Sequence, residues 1–69
     1  MKLYFQNANG KERLIAEVHD ADEAYDKIKE FCSERDFKIY YTRCWKLSDG
    51  STKYDVGSHT EFFRLDTNA

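Results

Sequence analysis

Two Asx-Gly dipeptides do most to limit the fold of this chain. Asn9-Gly10 and Asp49-Gly50 each lie between segments in which apolar and polar residues alternate. Such a dipeptide is typical of a two-residue β-hairpin turn, because type I′ geometry requires positive φ at both central positions. The sequence therefore predicts two hairpins, one over residues 2–18 and a longer one over residues 37–65.

The first hairpin has one apolar face. With Asn9-Gly10 as the turn, Leu3 is predicted to pair with Ala16, and Phe5 with Leu14. Side chains alternate across a strand, so this register separates two faces. The predicted core face carries Leu3, Phe5, Leu14, Ala16 and Val18, and the opposite, amphipathic face carries Lys2, Tyr4, Gln6, Arg13, Ile15 and Glu17.

Residues 21–34 are predicted to form a helix. Asp20 is placed to cap its first amides, and Glu23 follows three positions later, as in a capping box. Apolar residues recur at helical spacing, which is typical of a helix with one buried side. This stripe consists of Ala21, Ala24, Tyr25, Ile28, Phe31 and Cys32.

The second hairpin has two possible registers. With Asp49-Gly50 at the tip, Trp45 faces Tyr54. In that register the core face carries Phe37, Ile39, Tyr41, Trp45, Tyr54, Val56 and Phe62, and the opposite face carries Lys38, Tyr40, Cys44, Lys46, Lys53, Asp55, His59, Glu61, Phe63 and Leu65. A bulge at Gly57 would shift the pairing by one residue and bring Phe63 and Leu65 to the core side. The sequence leaves both registers open.

Together these elements predict a single α+β domain over residues 1–69. We expect a β-hairpin–helix–β-hairpin order (ββαββ), with a four-stranded antiparallel sheet and one helix packed on one face. The helix covers one side of the sheet only, so the other side is left for solvent, a second copy or a partner. The candidate interaction surface on that side consists of Tyr4, Ile15, Tyr40, Phe63 and Leu65.

Composition narrows the functional classes. Eleven basic and thirteen acidic residues are interspersed, for a formal net charge of −2, which gives little driving force for nonspecific nucleic-acid binding. No apolar run approaches the roughly 18 residues of a membrane span. Alternating residues follow Lys2 where a secretory signal would have an apolar stretch. We therefore expect a cytoplasmic protein whose two cysteines, Cys32 and Cys44, are reduced.

No residue pattern predicts an enzyme, a metal site or a cofactor. Ser58 and His59 are adjacent, so in a regular strand they point to opposite faces and cannot act as a catalytic pair with Asp55. His19 is expected to be a solvated loop residue. The two histidines have no metal-ligand spacing, and the three glycines fit turns or a bulge better than a phosphate loop.

The stretch Tyr54-Asp55-Val56-Gly57-Ser58-His59-Thr60-Glu61-Phe62-Phe63 resembles the ending of short uncharacterised proteins from phages and prophages of Gram-positive bacteria. The resemblance implies an accessory protein, made in the host cytoplasm, that binds and blocks or redirects a host or defence component. It carries over no functional residues. Together with the residue patterns, it favours a non-enzymatic protein-interaction module, possible as a homodimer. The alternative is a nucleic-acid-binding module that uses an aromatic sheet face.

Overall fold

A computed structural model describes residues 1–57 and 60–66 of the chain. The described residues form one helix and five strands. In chain order these are β1 (Lys2–Gln6), β2 (Glu12–Glu17), α1 (Ala21–Glu34), β3 (Arg43–Lys46), β4 (Thr52–Asp55) and β5 (Phe62–Asp66).

The strands form one antiparallel sheet in the order β2-β1-β5-β4-β3. The α+β class is confirmed, but the predicted four-stranded ββαββ arrangement is wrong. The segment expected to be one long last strand ends at Asp55, turns at Gly57 (φ 96°), and resumes as β5. The Gly57 amide donates to Asp55 Oδ1 at 2.9 Å, which helps to fix this break. Because β5 lies between β1 and β4, it joins the two hairpins into one sheet.

Both Asx-Gly pairs lie in hairpin turns, but each loop has three residues where two were predicted. Asn7 N donates to Lys11 O and Gly10 N to Asn7 O, both at 2.9 Å. Around Gly50 the equivalent bonds are Leu47 N to Ser51 O at 2.8 Å and Gly50 N to Leu47 O at 3.0 Å. In each loop the glycine has positive φ (81° and 91°) and the preceding Asx residue does not. This is the type I turn followed by a left-handed glycine, the common three-residue hairpin loop.

The longer loops shift the registers by one residue. In the second hairpin Trp45 pairs with Lys53 and not with Tyr54. In the first hairpin the shift is cancelled by a bulge, so Leu3 pairs with Ala16 as predicted, while Tyr4 pairs with Leu14. A one-residue shift moves side chains to the other face of the sheet.

The predicted helix is confirmed as α1. Asp20 Oδ1 accepts from Glu23 N at 2.8 Å, so the cap is present as expected. At the other end, Phe37 N donates to Cys32 O at 2.9 Å, and Asp36 has the left-handed φ of 59° that usually falls to glycine in this type of helix end. Residues 35–42 then run without regular structure, although a strand was predicted to begin at Phe37.

The core lies between α1 and one side of the sheet. Three phenylalanines from different elements meet there, with ring centroids 4.7 Å apart for Phe5 and Phe31, 5.4 Å for Phe5 and Phe63, and 5.5 Å for Phe31 and Phe63. Each aromatic pair of this kind stabilises the fold by about 0.5–1.5 kcal/mol beyond the contribution of the surface area that it buries. The buried apolar residues are Leu3, Val18, Ala24, Ile28, Phe31, Cys32, Tyr54, Val56, Phe63 and Leu65.

Candidate interaction face of the sheet

The side of the sheet opposite α1 is the candidate functional site, and we call it the open face. No helix or strand in residues 1–57 and 60–66 packs on this side. The strand registers assign its side chains, because residues paired across neighbouring strands share a face. The open face consists of Lys2, Tyr4, Gln6, Glu12, Leu14, Glu17, Arg43, Trp45, Lys53, Asp55, Phe62, Arg64 and Asp66.

Only one residue of the predicted interaction surface lies on this face. Tyr4 is there, as expected. Phe63 and Leu65 are core residues, 1% and 2% exposed, which corresponds to the other of the two registers left open. Ile15 is the extra residue of the β2 bulge and packs against the core side, so its predicted placement is wrong. Tyr40 is 69% exposed but belongs to no strand, and packs beside Gly57.

Three apolar side chains of the open face were predicted to be in the core. Leu14 changes faces because of the three-residue loop at Gly10, and Trp45 because of the equivalent loop at Gly50. Phe62 changes because the strand is interrupted before it. The sequence does hold a signal for these positions, since an Asx-Gly pair is equally compatible with a three-residue loop, and the register of that loop turns Leu14 and Trp45 outward.

A continuous row of side chains crosses the open face from one edge strand to the other. The pairings are Leu14 with Tyr4, Tyr4 with Arg64, Arg64 with Lys53, and Lys53 with Trp45. We call this set the central row. Its two ends are apolar and well exposed, with Leu14 at 47% and Trp45 at 42%. The row therefore offers two apolar contacts at opposite edges, with two cations and a tyrosine ring between them.

Arg64 is held at the middle of the central row. Its Nε and Nη2 atoms donate to Glu12 Oε2 and Oε1 at 2.7 and 3.0 Å, and its Nη1 atom lies 4.0 Å from Asp66. On its way to Glu12, the guanidinium lies over the Tyr4 ring, 4.7 Å from the centroid. The hydrogen bonds to Glu12 raise the pKa of Arg64 further. Arg64 is thus fixed in place, and one side of the Tyr4 ring is occupied.

Arg43 and Lys53 on the open face also contact side chains of the same chain. Arg43 Nη2 donates to Asp55 Oδ2 at 2.9 Å, which raises the pKa of Arg43. Lys53 Nζ lies 4.3 Å from the centroid of the Phe62 ring. Lys2 lies opposite Glu17 in the register of β1 and β2.

Charge is distributed unevenly from edge to edge. The β2 edge contributes Glu12 and Glu17, whereas β3 and β4 contribute Arg43 and Lys53 at the other end, where Asp55 is buried beneath Arg43. The face is therefore balanced overall but has an acidic end and a basic end.

Apart from the open face, the protein has a groove at one end of the helix side. It is an open groove of about 790 Å³ whose walls include the aromatic rings of Phe5, Phe37, Tyr40 and Tyr41. The predicted non-catalytic pair Ser58 and His59 lies outside the described residues.

The remaining chemistry of the described part of the chain is sparse. Within residues 1–57 and 60–66, no group of histidine, cysteine, aspartate and glutamate side chains is arranged to hold a metal ion. No helix in the same ranges has both the length and the apolar character to cross a membrane. Both cysteines are free thiols; Cys32 is buried, which raises its pKa, and Cys44 is exposed.

Comparison with known proteins adds no relative: no protein-family model, no curated protein and no solved structure matches the chain.

Proposed function

We propose that this protein is a non-enzymatic protein-interaction module that binds its partner through the open face. The observation that supports this most is the central row, which presents the exposed side chains of Leu14 and Trp45 beside a fixed arginine and a tyrosine. Tryptophan, tyrosine and arginine are the residues in which binding energy at protein interfaces is concentrated. Balanced charge around a partly apolar centre is also typical of such interfaces.

The state of the rings and cations favours a protein partner over a nucleic acid. Base stacking needs aromatic faces that are free, but Arg64 lies over Tyr4 and Lys53 lies over Phe62. Phosphate binding needs cations that can exchange bound counterions, but Arg64 and Arg43 are engaged by carboxylates of the same chain. A nucleic acid would have to replace these contacts.

We further propose that the partner is a host or defence protein that this chain blocks or redirects in the host cytoplasm. This part rests on the resemblance of residues 54–63 to the endings of short phage and prophage proteins. A small domain with one uncovered sheet face suits such stoichiometric binding, since the face needs no pocket and no reaction chemistry.

A capture experiment tests the proposal. The wild-type protein is immobilised and exposed to lysate of a Gram-positive host, beside the double variant Leu14→Ser/Trp45→Ser and the control Tyr40→Ala. Tyr40 is the most exposed large hydrophobic residue in the described ranges and lies off the open face. We expect a specific protein to be retained by the wild type and the control and lost from the double variant, with all three showing the same circular dichroism spectrum.

Three results would contradict the proposal. The first is that no protein is retained specifically, and the second is that the double variant retains it as well as the wild type. The third is binding of single- or double-stranded oligonucleotide probes, measured by fluorescence anisotropy at low salt, that weakens steeply as salt is added. This third result would establish the nucleic-acid alternative instead.

A further inference from the structure

We propose that the open face also binds a second copy of this chain, so that two sheets stack face to face about a two-fold axis parallel to β5. This inference deepens the proposed function, since it rests on the open face being a protein-binding surface and names one occupant. Three features carry it: the position of β5, the two ends of the central row, and the distribution of charge.

The sheet order supplies the symmetry. β5 is the middle strand of β2-β1-β5-β4-β3. A two-fold axis along β5 therefore places β2 of one copy over β3 of the other, and β1 over β4. This rotation does not change the position of a side chain along the strand direction, but it reverses the order of the strands. Each row of side chains across the sheet therefore faces the same row of the second copy, with its two ends exchanged.

The central row of one copy is complementary to the central row of the other when their two ends are exchanged. Leu14 of one copy meets Trp45 of the other, and the same contact forms a second time at the opposite edge. Tyr4 meets Lys53, a pair that suits a cation–π contact. Arg64 meets Arg64 close to the axis, where each guanidinium is already bound by Glu12 and lies 4.0 Å from Asp66. The exposed apolar ends are thus buried on each other.

Charge selects this axis over the alternative one. In the proposed arrangement Glu12 at the acidic end faces Arg43 at the basic end of the other copy. A two-fold axis that lies in the sheet plane and is perpendicular to the strands would instead stack β2 on β2, with Glu12 of one copy against Glu17 of the other. Juxtaposed like charges disfavour an interface. Arg64 lies near the axis in both arrangements and is bound by Glu12 of its own copy, so the acidic β2 edge decides between them and the axis along β5 is preferred.

The size of the face sets the expected strength. Five strands at about 4.8 Å spacing and about five residues at about 3.4 Å each give a flat area of roughly 400 Å² per copy. This is at the weak end of specific interfaces, so we expect a dissociation constant of roughly 10 μM to 1 mM. A dimer of this strength leaves the face free for another protein at low concentration.

Sedimentation velocity tests the dimer. Wild-type protein is measured from about 10 μM to 1 mM, together with Leu14→Asp and the control Tyr40→Ala. We expect the wild type and the control to dimerise over this range, and Leu14→Asp to raise the dissociation constant at least tenfold. The sole tryptophan, Trp45, supplies a second readout, since its emission should move to shorter wavelength as the dimer forms.

Thiol cross-linking tests the geometry. In a Cys44→Ser background, the variant Leu14→Cys/Trp45→Cys should give a covalent dimer with a short bis-maleimide cross-linker that reaches the roughly 10 Å between stacked sheets. Within one chain these positions are four strand spacings apart, about 19 Å, which is beyond the reach of such a linker. The single variant Leu14→Cys should cross-link far less, because position 14 faces position 45 and not its own counterpart.

The outcomes separate this inference from the proposed function. A strict monomer at 1 mM, a dimer indifferent to Leu14→Asp, or efficient cross-linking of Leu14→Cys alone would overturn the inference. If a partner is still captured from lysate through Leu14 and Trp45, the proposed function stands without it. If the protein dimerises as expected but captures no host protein, the dimer stands and the proposed binding of a host protein is contradicted.

Discussion

Phe62 and Phe63 are consecutive residues of β5 whose rings lie on opposite faces, and this makes them a matched test of the fold. Phe63 is 1% exposed and contacts the rings of Phe5 and Phe31 in the core. Phe62 lies on the open face, is partly exposed, and is covered on one side by Lys53. Replacing each phenylalanine with alanine removes the same phenyl ring, once from the buried core and once from the partly exposed open face.

The expected costs differ several-fold. Phe63→Ala removes a buried ring and leaves a cavity, which costs about 3–5 kcal/mol. Phe62→Ala exposes part of a surface that is already wet, and we expect about 1 kcal/mol from the lost burial. A chain of 69 residues has a total unfolding free energy of about 3–10 kcal/mol, so Phe63→Ala is expected to leave the protein partly or wholly unfolded at room temperature.

Urea denaturation followed by far-ultraviolet circular dichroism measures both effects. Because Phe63→Ala can lose its folded baseline, Phe63→Leu is included, with an expected cost of about 1–2 kcal/mol. Measurements at about 5 μM keep the proposed dimer dissociated, so the values report the monomer. If Phe62→Ala proves as costly as Phe63→Ala, or costlier than Phe63→Leu, the assignment of faces in β5 is wrong, and the open face is wrong with it.

Four further predictions concern glycine, aspartate and cysteine positions. In the same denaturation assay, Gly57→Ala should destabilise the protein by about 2–3 kcal/mol and Gly10→Ala by only about 1 kcal/mol. Both glycines have positive φ, but only a Cβ at position 57 would lie 2.9 Å from a neighbouring side-chain carbon. Equal costs for the two substitutions would contradict this packing. Asp36→Gly should stabilise by about 0.5–1 kcal/mol by relieving the left-handed backbone, and a loss of stability would mean that its carboxylate has a further role. Iodoacetamide should modify Cys44 in the native protein and spare Cys32, as read by mass spectrometry. Burial raises the pKa of Cys32, so folding favours its neutral thiol, and stability should fall as the pH rises past the ordinary thiol value of about 8.5; Cys32→Ala should remove that part of the fall.

The helix was predictable in full because its determinants are local. The Asp20 cap, the Glu23 amide it binds and the apolar stripe all lie within one segment, and the structure begins and ends α1 at the predicted residues. The hairpin turns were predictable in place but not in length. An Asx-Gly pair fits a two-residue loop, in which both residues have positive φ, and it also fits a three-residue loop, in which only the glycine has positive φ. The sequence does not distinguish these two loop lengths.

The candidate site was harder to predict than the fold class for the same reason. One residue of loop length decides the face on which Leu14 and Trp45 lie, since the side-chain period of a strand is two. The pairing of β1 with β5 has no local signal at all, and it places β5 in the middle of the sheet, where Phe63 and Leu65 are buried. Of the five residues predicted for the interaction surface, Tyr4 alone is on the open face, because side chains alternate regularly along β1 whatever the loop length or the neighbouring strand.

The central place of β5 has a consequence for how the chain acquires its structure. Lys2 pairs with Asp66, so the strand that completes the sheet is also the last described one to be synthesised. Until it inserts, β1 and β4 each keep an unpaired edge, and such edges invite association with other chains. Pairings this distant in sequence form slowly, because closing the long loop costs entropy before any contact compensates for it. Folding of this small domain should therefore be slower than its size suggests, and the nascent chain should be most prone to aggregation just before residues 62–66 become available.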